Sequence, residues 1–174
     1  AWPIGRQTFA TSHSASLSTA GRPTSTTNEP PMNSSQIDRK AVLRDFIEEV
    51  WNEGKVDAVL RFVGPEYTLR HDPGDPQHGQ TLDRVGYAER LVRSRAPFPD
   101  QRFEIVELIA EGDAIVMTWR WTGTHLADLP GFPASGRRVK MTGLTVYYFD
   151  GNLVVGHWQI VDRLGVFQQL RPAA

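Results

Sequence analysis

Apolar residues first recur at helical spacing in this chain, and later at every second position. Val42, Phe46, Val50 and Trp51, with Leu43 and Ile47 beside them, mark a first helix after the capping candidates Ser34, Ser35 and Asp38. Asn52-Glu53-Gly54 closes it, with Gly54 suited to the left-handed terminal position. Val56 to Val63 predicts a second, short helix, stopped by Gly64-Pro65. Tyr67 to His71 reads as a short strand, and Asp72 to Gln80 as a turn-rich loop with two Asp-Pro pairs. Leu82 to Arg95 predicts a third helix, its inner side carrying Val85, Tyr87, Ala88, Leu91 and Val92.

From Arg102 the period becomes two. Strands are expected over Arg102–Ala110, Ala114–Thr124, Arg138–Phe149 and Leu153–Val161. Glu111-Gly112-Asp113 and Asp150-Gly151-Asn152 are hairpin turns, and Leu126 to Arg137 is a Pro/Gly-rich loop. Helices first and an antiparallel meander after them describe an α+β layout, with helices packed on one face of a curved sheet. Such a sheet, capped by helices, leaves a cone whose apolar interior suits a small molecule. Ile115, Met117, Trp119 and Trp121 share one strand parity and should face the helices. The strand over Arg138–Phe149 is apolar on both parities, which calls for a second cover, and a homodimer is expected to supply it.

Residues 1–35 differ from the rest. Thr11 to Asn28 is dense in Ser and Thr and lacks apolar periodicity, so this segment is read as a disordered tail preceding a domain over residues 36–172. Arg6 and Arg22 give it a faint likeness to a transit peptide. Met32 is the first methionine, and the simpler expectation is that residues 1–31 are an upstream or added segment.

At 174 residues and a net charge of −1, the chain suits one domain with no field favouring nucleic acid or an anionic membrane. No apolar run approaches the roughly 20 residues of a membrane span. The absence of cysteine excludes disulfides, thiolate nucleophiles and Cys-ligated zinc, and fits a reducing, cytoplasmic setting. His71, Asp72 and His78 match no metal-ligand spacing, so no metal is expected. Five tryptophans are many for this length; core packing is the first expectation for them, and a pocket for a flat ligand would use the same residues.

The candidate chemistry lies near the C-terminus. Trp158, Ile160 and Asp162 share one strand face, and a carboxylate on a mostly apolar face should have a raised pKa, as proton transfer near neutral pH requires. Asp162 also stands where it would cap a helix beginning at about Arg163. His157 takes the opposite parity, which turns it outward unless a bulge intervenes. His71, at a strand end beside a loop, is a further candidate, and His125 is expected at the rim. Arg120 reads as a surface or interface charge.

Several stretches of the folded part together resemble one known family. They are Phe46-Ile47-Glu48-Glu49-Val50-Trp51-Asn52-Glu53-Gly54, Phe98-Pro99-Asp100-Gln101-Arg102-Phe103, Ala110-Glu111-Gly112-Asp113, Thr122-Gly123-Thr124-His125, Gly136-Arg137-Arg138-Val139, Gly156-His157-Trp158 and Asp162 to Leu170. From about Val42 to Leu170 the chain resembles the SnoaL-like polyketide cyclases of the nuclear transport factor 2-like superfamily. The resemblance implies a cone-shaped α+β barrel, with a strongly curved, mainly antiparallel sheet and three N-terminal helices on its concave face. It implies an oligomer and a reaction needing neither metal nor organic cofactor. Characterised members close a ring by intramolecular aldol condensation of an aromatic polyketide ester, with an aspartate at the position of Asp162 as general acid/base. On that basis the expected catalytic residues are Asp162, His157 and His71. Tyr67, Trp119, Trp121, Met141 and Trp158 are the expected walls for a hydrophobic substrate. Epoxide hydrolysis, ketone isomerisation and simple binding of a metabolite are the rivals on this scaffold. Trp119-Arg120-Trp121 lacks the Arg-x-Asp pair of the epoxide hydrolases, and Phe46 and Ile47 stand where ketosteroid isomerases carry a helix tyrosine.

Overall fold

A computed structural model describes residues 34–171, so the tail expected over residues 1–35 lies almost wholly outside the described residues. Helix α1 spans Ser34–Phe46 and continues as a π-turn over Ile47–Asn52. Leu43, Phe46, Ile47, Val50 and Trp51 are buried along it, and Gly54 takes the expected positive φ of 72° at its end. Helix α2 is the single turn Val59–Phe62, shorter than the expected Val56–Val63 because Val63 already opens strand β1, Val63–His71. A three-residue strand, β2 (Thr81–Asp83), takes the first positions assigned to the third helix. Helix α3 then runs Arg84–Arg95, capped by Asp83, whose carboxylate accepts the Gly86 N–H at 2.8 Å.

Strands β3 (Arg102–Glu111), β4 (Ala114–Thr124), β5 (Arg138–Asp150) and β6 (Leu153–Val161) fall where the alternation put them. Helix α4, Arg163–Leu170, follows β6. It docks on β5 through Gln169, whose side chain accepts from the Lys140 N–H at 2.9 Å and donates to its carbonyl at 2.8 Å.

The sheet corrects the expected topology. Its order is β2-β1-β6-β5-β4-β3, and β1 runs parallel to β6 while the other neighbours are antiparallel. It is mixed and open, with β2 and β3 as free edges, rather than a closed barrel. Four helices accompany it among the described residues, the fourth after the last strand.

Three bulges decide which side chains face the core. Ile105 pairs with Trp119 but Glu107 with Thr118, so Val106 is extra, and Phe103, Ile105, Leu108 and Ala110 all turn inward. Tyr148 pairs with Gly156 but Phe149 with Val154, so Val155 is extra in β6. Leu69 pairs with His157 but His71 with Trp158, so Arg70 is extra in β1. Ile115, Met117, Trp119 and Trp121 are buried on the inner face as expected. The core beneath them is dense in aromatic rings in edge contact, including Trp119 with Phe103, Trp121 with Phe98, and Phe46 with Phe62 and Tyr147.

On α3 the inner stripe differs from the expected one. Tyr87 and Leu91 are buried, but Val85 and Val92 are exposed, and Arg90 takes the buried place between them. The reason is electrostatic, because Arg90 is drawn inward by two carboxylates.

Candidate active site

The Val155 bulge changes the parity of β6, so Val154 and His157 both face inward. His157 thereby enters the core at 3% exposure, and Gln159 follows on the same side. The Nδ1 of His157 lies 2.7 Å from the Tyr67 hydroxyl on β1. Its Nε2 has no hydrogen-bond partner, and 3.5 Å away stands Asp72 Oδ2.

Asp72 is the hub. It is the first residue of the loop after β1 and is fully buried, at 0% exposure. Its carboxylate receives Arg163 Nη2 at 2.6 Å, Gln159 Nε2 at 2.7 Å and Arg90 Nη2 at 3.2 Å. Arg90 also holds Asp75 at 2.8 Å, and Arg163 donates to the Pro73 carbonyl at 2.5 Å. The Asp72 N–H donates to His78 Nδ1 at 3.0 Å. The Pro/Gly-rich loop is therefore folded onto the core by its own charges. Behind it, Trp119 Nε1 donates to Thr145 Oγ1 at 2.9 Å, and Thr145 to Gln159 Oε1 at 3.1 Å, so a polar chain runs from β4 to Asp72.

These contacts set the charge states. Burial pushes the Asp72 carboxyl up, but His157, Arg163 and Arg90 outweigh it and hold its pKa at about 2. Burial pushes the His157 imidazole below its ordinary value, against the opposing pull of Asp72, so the ring is neutral at neutral pH. Burial also raises the Tyr67 phenol well above its usual value. A neutral imidazole beside a fixed carboxylate places its proton on the nitrogen facing that charge. The Nε2–H then points to Asp72, and Nδ1 accepts from the Tyr67 hydroxyl. Asp72, His157 and Tyr67 form a carboxylate–imidazole–phenol relay able to take up and return one proton.

The other expected site residues lie elsewhere. Asp162 caps α4, accepting the Gly165 N–H at 2.8 Å, and is exposed to solvent. Its exposure takes it out of the apolar surroundings expected for it. The Arg70 bulge sends His71 to the outer face, where it stacks on Trp158 with ring centroids 4.8 Å apart. Trp158 thus lines the outer face with Ile160. Trp119, Trp121 and Tyr67 are buried on the inner face, and Met141 is half-buried opposite Trp121. His125 is not at the rim: it is fully buried, packed on Phe98, with Nδ1 3.1 Å from Ser135 Oγ. Arg120 is exposed and pairs with Glu104 at 3.1 Å, in keeping with a surface charge.

The sequence reading missed Asp72, Arg90, Gln159 and Arg163 as site residues. One signal was present: Arg90 follows Tyr87 by three positions, on the same side of α3. Two surface depressions, of about 580 and 400 Å³, are lined by Glu49, Lys55, Asp57 and Arg61, and by Val56, Val85, Ala88 and Val92. Neither includes the relay.

The architecture is that of a small α+β domain with an open six-stranded mixed sheet. The family model for SnoaL-like polyketide cyclases matches residues 41–170, so the chain belongs to that family. It is 27% identical over 139 residues to the aklanonic acid methyl ester cyclase DnrD of Streptomyces peucetius, spanning 79% of this chain and 91% of that one. Among solved structures it resembles a protein regarded as a polyketide cyclase from Acidithiobacillus ferrooxidans, with 58% identity and a TM-score of 0.76 over 79% of this chain and 96% of that one. TsrD of Streptomyces laurentii is similar at 25% identity and a TM-score of 0.66, over 78% of this chain and 96% of that one.

Proposed function

We propose that the protein is a cofactor-independent cyclase-type enzyme that moves one proton on a hydrophobic carbonyl substrate, using Tyr67, His157 and Asp72 as its relay. The observation that supports this most is the 2.7 Å contact between the Tyr67 hydroxyl and a buried, neutral His157. In the forward step the Tyr67 oxygen takes the proton from the carbon beside a substrate carbonyl while Tyr67 passes its own proton to His157 Nδ1. The substrate becomes an enolate, and the new imidazolium is stabilised by Asp72. The enolate carbon attacks a second carbonyl of the same molecule, forming a carbon–carbon bond and an alkoxide. The proton then returns from His157 through Tyr67 to that oxygen. The two aklanonic acid methyl ester cyclases similar to this chain make a polyketide methyl ester the substrate class of first choice.

Entry to the relay requires the loop over residues 72–80 to move, because Asp72 and His157 are buried. A homodimer fits the outer face, where Val106, Ile109 and Ile160 are more than half exposed and Trp158 is half-buried. Epoxide hydrolysis is disfavoured by the outward, Glu104-paired Arg120. The rival with an observation behind it is a non-catalytic binding module. It is favoured by Asp162, which bonds to the backbone amide of Gly165 as a helix cap does.

The test compares wild type, His157→Gln and Tyr67→Phe for turnover of aromatic polyketide methyl esters, steroid ketones and terpene epoxides. Cyclised product from an ester, lost in both variants while their melting temperatures stay near wild type, is the expected result. Ligand-induced stabilisation without turnover in wild type would establish the binding module instead.

A further inference from the structure

The loop between β4 and β5 is built as a small body of its own. No residue from Leu126 to Arg138 is buried, whereas His125 and Val139 on either side of it are fully buried. Its tip closes on itself. In Leu129-Pro130-Gly131-Phe132 the Phe132 N–H donates to the Leu129 carbonyl at 2.8 Å, and the Leu129 N–H to the Phe132 carbonyl at 2.9 Å. Gly131, at a φ of 80°, supplies the left-handed residue this tight turn needs, and Pro130 fixes the position before it. The Asp128 carboxylate accepts the Ala134 N–H at 2.7 Å. Among the described residues, every hydrogen bond of residues 127–134 stays inside the loop. The ties to the domain are at the loop's two ends. The His125 N–H donates to the Arg137 carbonyl and the Gly136 N–H to the His125 carbonyl, both at 2.9 Å, and Ser135 Oγ lies 3.1 Å from His125 Nδ1. Arg137 Nη1 reaches the Gln169 and Arg171 carbonyls at the end of α4.

Packing alone holds the tip down. Leu129 and Phe132 pack against the core, and the Phe132 ring stacks on Phe167 of α4, with centroids 5.2 Å apart and planes 2° from parallel. Phe167 is itself 38% exposed. A segment bonded within itself, unburied, and held at its tip by side-chain packing opens as one piece at a low cost in free energy. Its apolar underside then parts from the inner face of the domain, where His125 packs on Phe98 and Phe98 on Trp121. Phe167 follows Arg163 by about one turn of α4, a rise of about 6 Å, and Arg163 holds Asp72. Helix α4 therefore touches both this loop and the one over residues 72–80. We propose that residues 126–136 form a hinged flap that lifts off α4 to admit the hydrophobic substrate, with Phe132 and Phe167 as its latch. The inference rests on the reading of the interior as a substrate site and adds to it a gate.

His125 reports the opening. It is at 0% exposure and its Nε2 has no partner, so diethyl pyrocarbonate acylates that nitrogen once the flap lets the reagent in. Peptide mass mapping follows His125 and the similarly buried His157 separately. Phe167→Ala removes the stack and should raise the His125 rate at least about tenfold, with the His157 rate unchanged. The chain has no cysteine, so Phe132→Cys with Phe167→Cys gives two thiols that ethane-1,2-diyl bismethanethiosulfonate bridges and dithiothreitol releases. In the bridged protein His125 should stay unmodified over the time in which wild type reacts. The on-rate of methyl 2-naphthoate, read by tryptophan quenching, should fall at least about tenfold there and recover on reduction. Equal His125 rates in wild type, Phe167→Ala and the bridged pair overturn the proposal. A joint rise at His125 and His157 does so too, since it reports unfolding of the domain rather than a flap. So does an on-rate indifferent to the bridge, or a wild type that binds no naphthoate at millimolar concentration. The relay reading fails separately. It is lost if His157→Gln turns substrate over at the wild-type rate, whatever the flap does.

Discussion

Arg163 Nη2 donates to Asp72 Oδ1 at 2.6 Å, tying the first residue of α4 to the loop that leaves β1. Gln159 of β6 and Arg90 of α3 reach the same carboxylate, so α3 and the consecutive elements β6 and α4 converge on one buried charge. Removing one partner of a buried ion pair costs about 3–5 kcal/mol, because the other charge is stranded. Asp72→Asn should therefore destabilise the domain by about that amount in urea unfolding at pH 7. A loss below about 1 kcal/mol would mean that Asp75 alone satisfies Arg90.

Acid should unfold the domain in two separate windows. The Asp72 carboxyl is depressed from its ordinary 3.8 to about 2, so its contribution is complete above about pH 4 and lost as pH falls toward 2. At about 1.36 kcal/mol per pKa unit this amounts to about 2 kcal/mol. His157 is depressed below its ordinary 6.5. The unfolded chain then binds a proton there that the folded one refuses, so stability begins to fall as pH drops below about 6.5. Guanidinium titrations at several pH values should find the first step missing in His157→Gln and the second missing in Asp72→Asn. The acid limb of kcat/KM should likewise lie below pH 6.5, since only the neutral imidazole can accept the proton.

The sequence made the four long strands legible because apolar alternation and the Asp-Gly turns agree there. It concealed what depends on register. One extra residue, Val155, moves His157 from the expected outer face to the core, and another, Arg70, moves His71 out of it. Period-two reasoning cannot locate a bulge when both parities of a strand are apolar. The pairing of β1 beside β6, 90 residues apart at the Tyr67–His157 contact, left no local signal at all. Nor did the buried side chain of Arg90, whose place follows from partners on a different loop. What alternation could resolve was the inner set from Ile115 to Trp121, all four of which are buried.

Asp162 separates the two assignments of the proton-transfer group. As a helix cap with one backbone partner, it should tolerate Asn, which caps equally well, with a stability change within about 0.5 kcal/mol; Ala should cost about 1 kcal/mol. With the proton carried by Tyr67 and His157, Asp162→Asn keeps turnover near wild type. If that variant melts normally and loses turnover, the carboxylate of Asp162 is the acid/base and the relay is not.

Gly143 and Trp119 offer a test of how the sheet supports the relay from behind. The two residues face each other across β4 and β5, and a methyl group added at Gly143 would run into the Trp119 ring and lie 2.9 Å from the Ile160 carbonyl oxygen. Gly143→Ala must therefore push the ring aside, a cost of about 1–3 kcal/mol for overpacking. The displaced ring would drag on its bond to Thr145, and through Thr145 and Gln159 on Asp72. Turnover should fall more than stability alone accounts for, with the loss in kcat rather than KM. Trp119→Phe shortens the ring and should relieve the collision. In a double-mutant cycle read by urea unfolding, the two substitutions together should cost at least about 0.5 kcal/mol less than the sum of each alone. Strict additivity would show that the strand backbone moves instead, and that the polar chain from Trp119 to Asp72 does not transmit the strain.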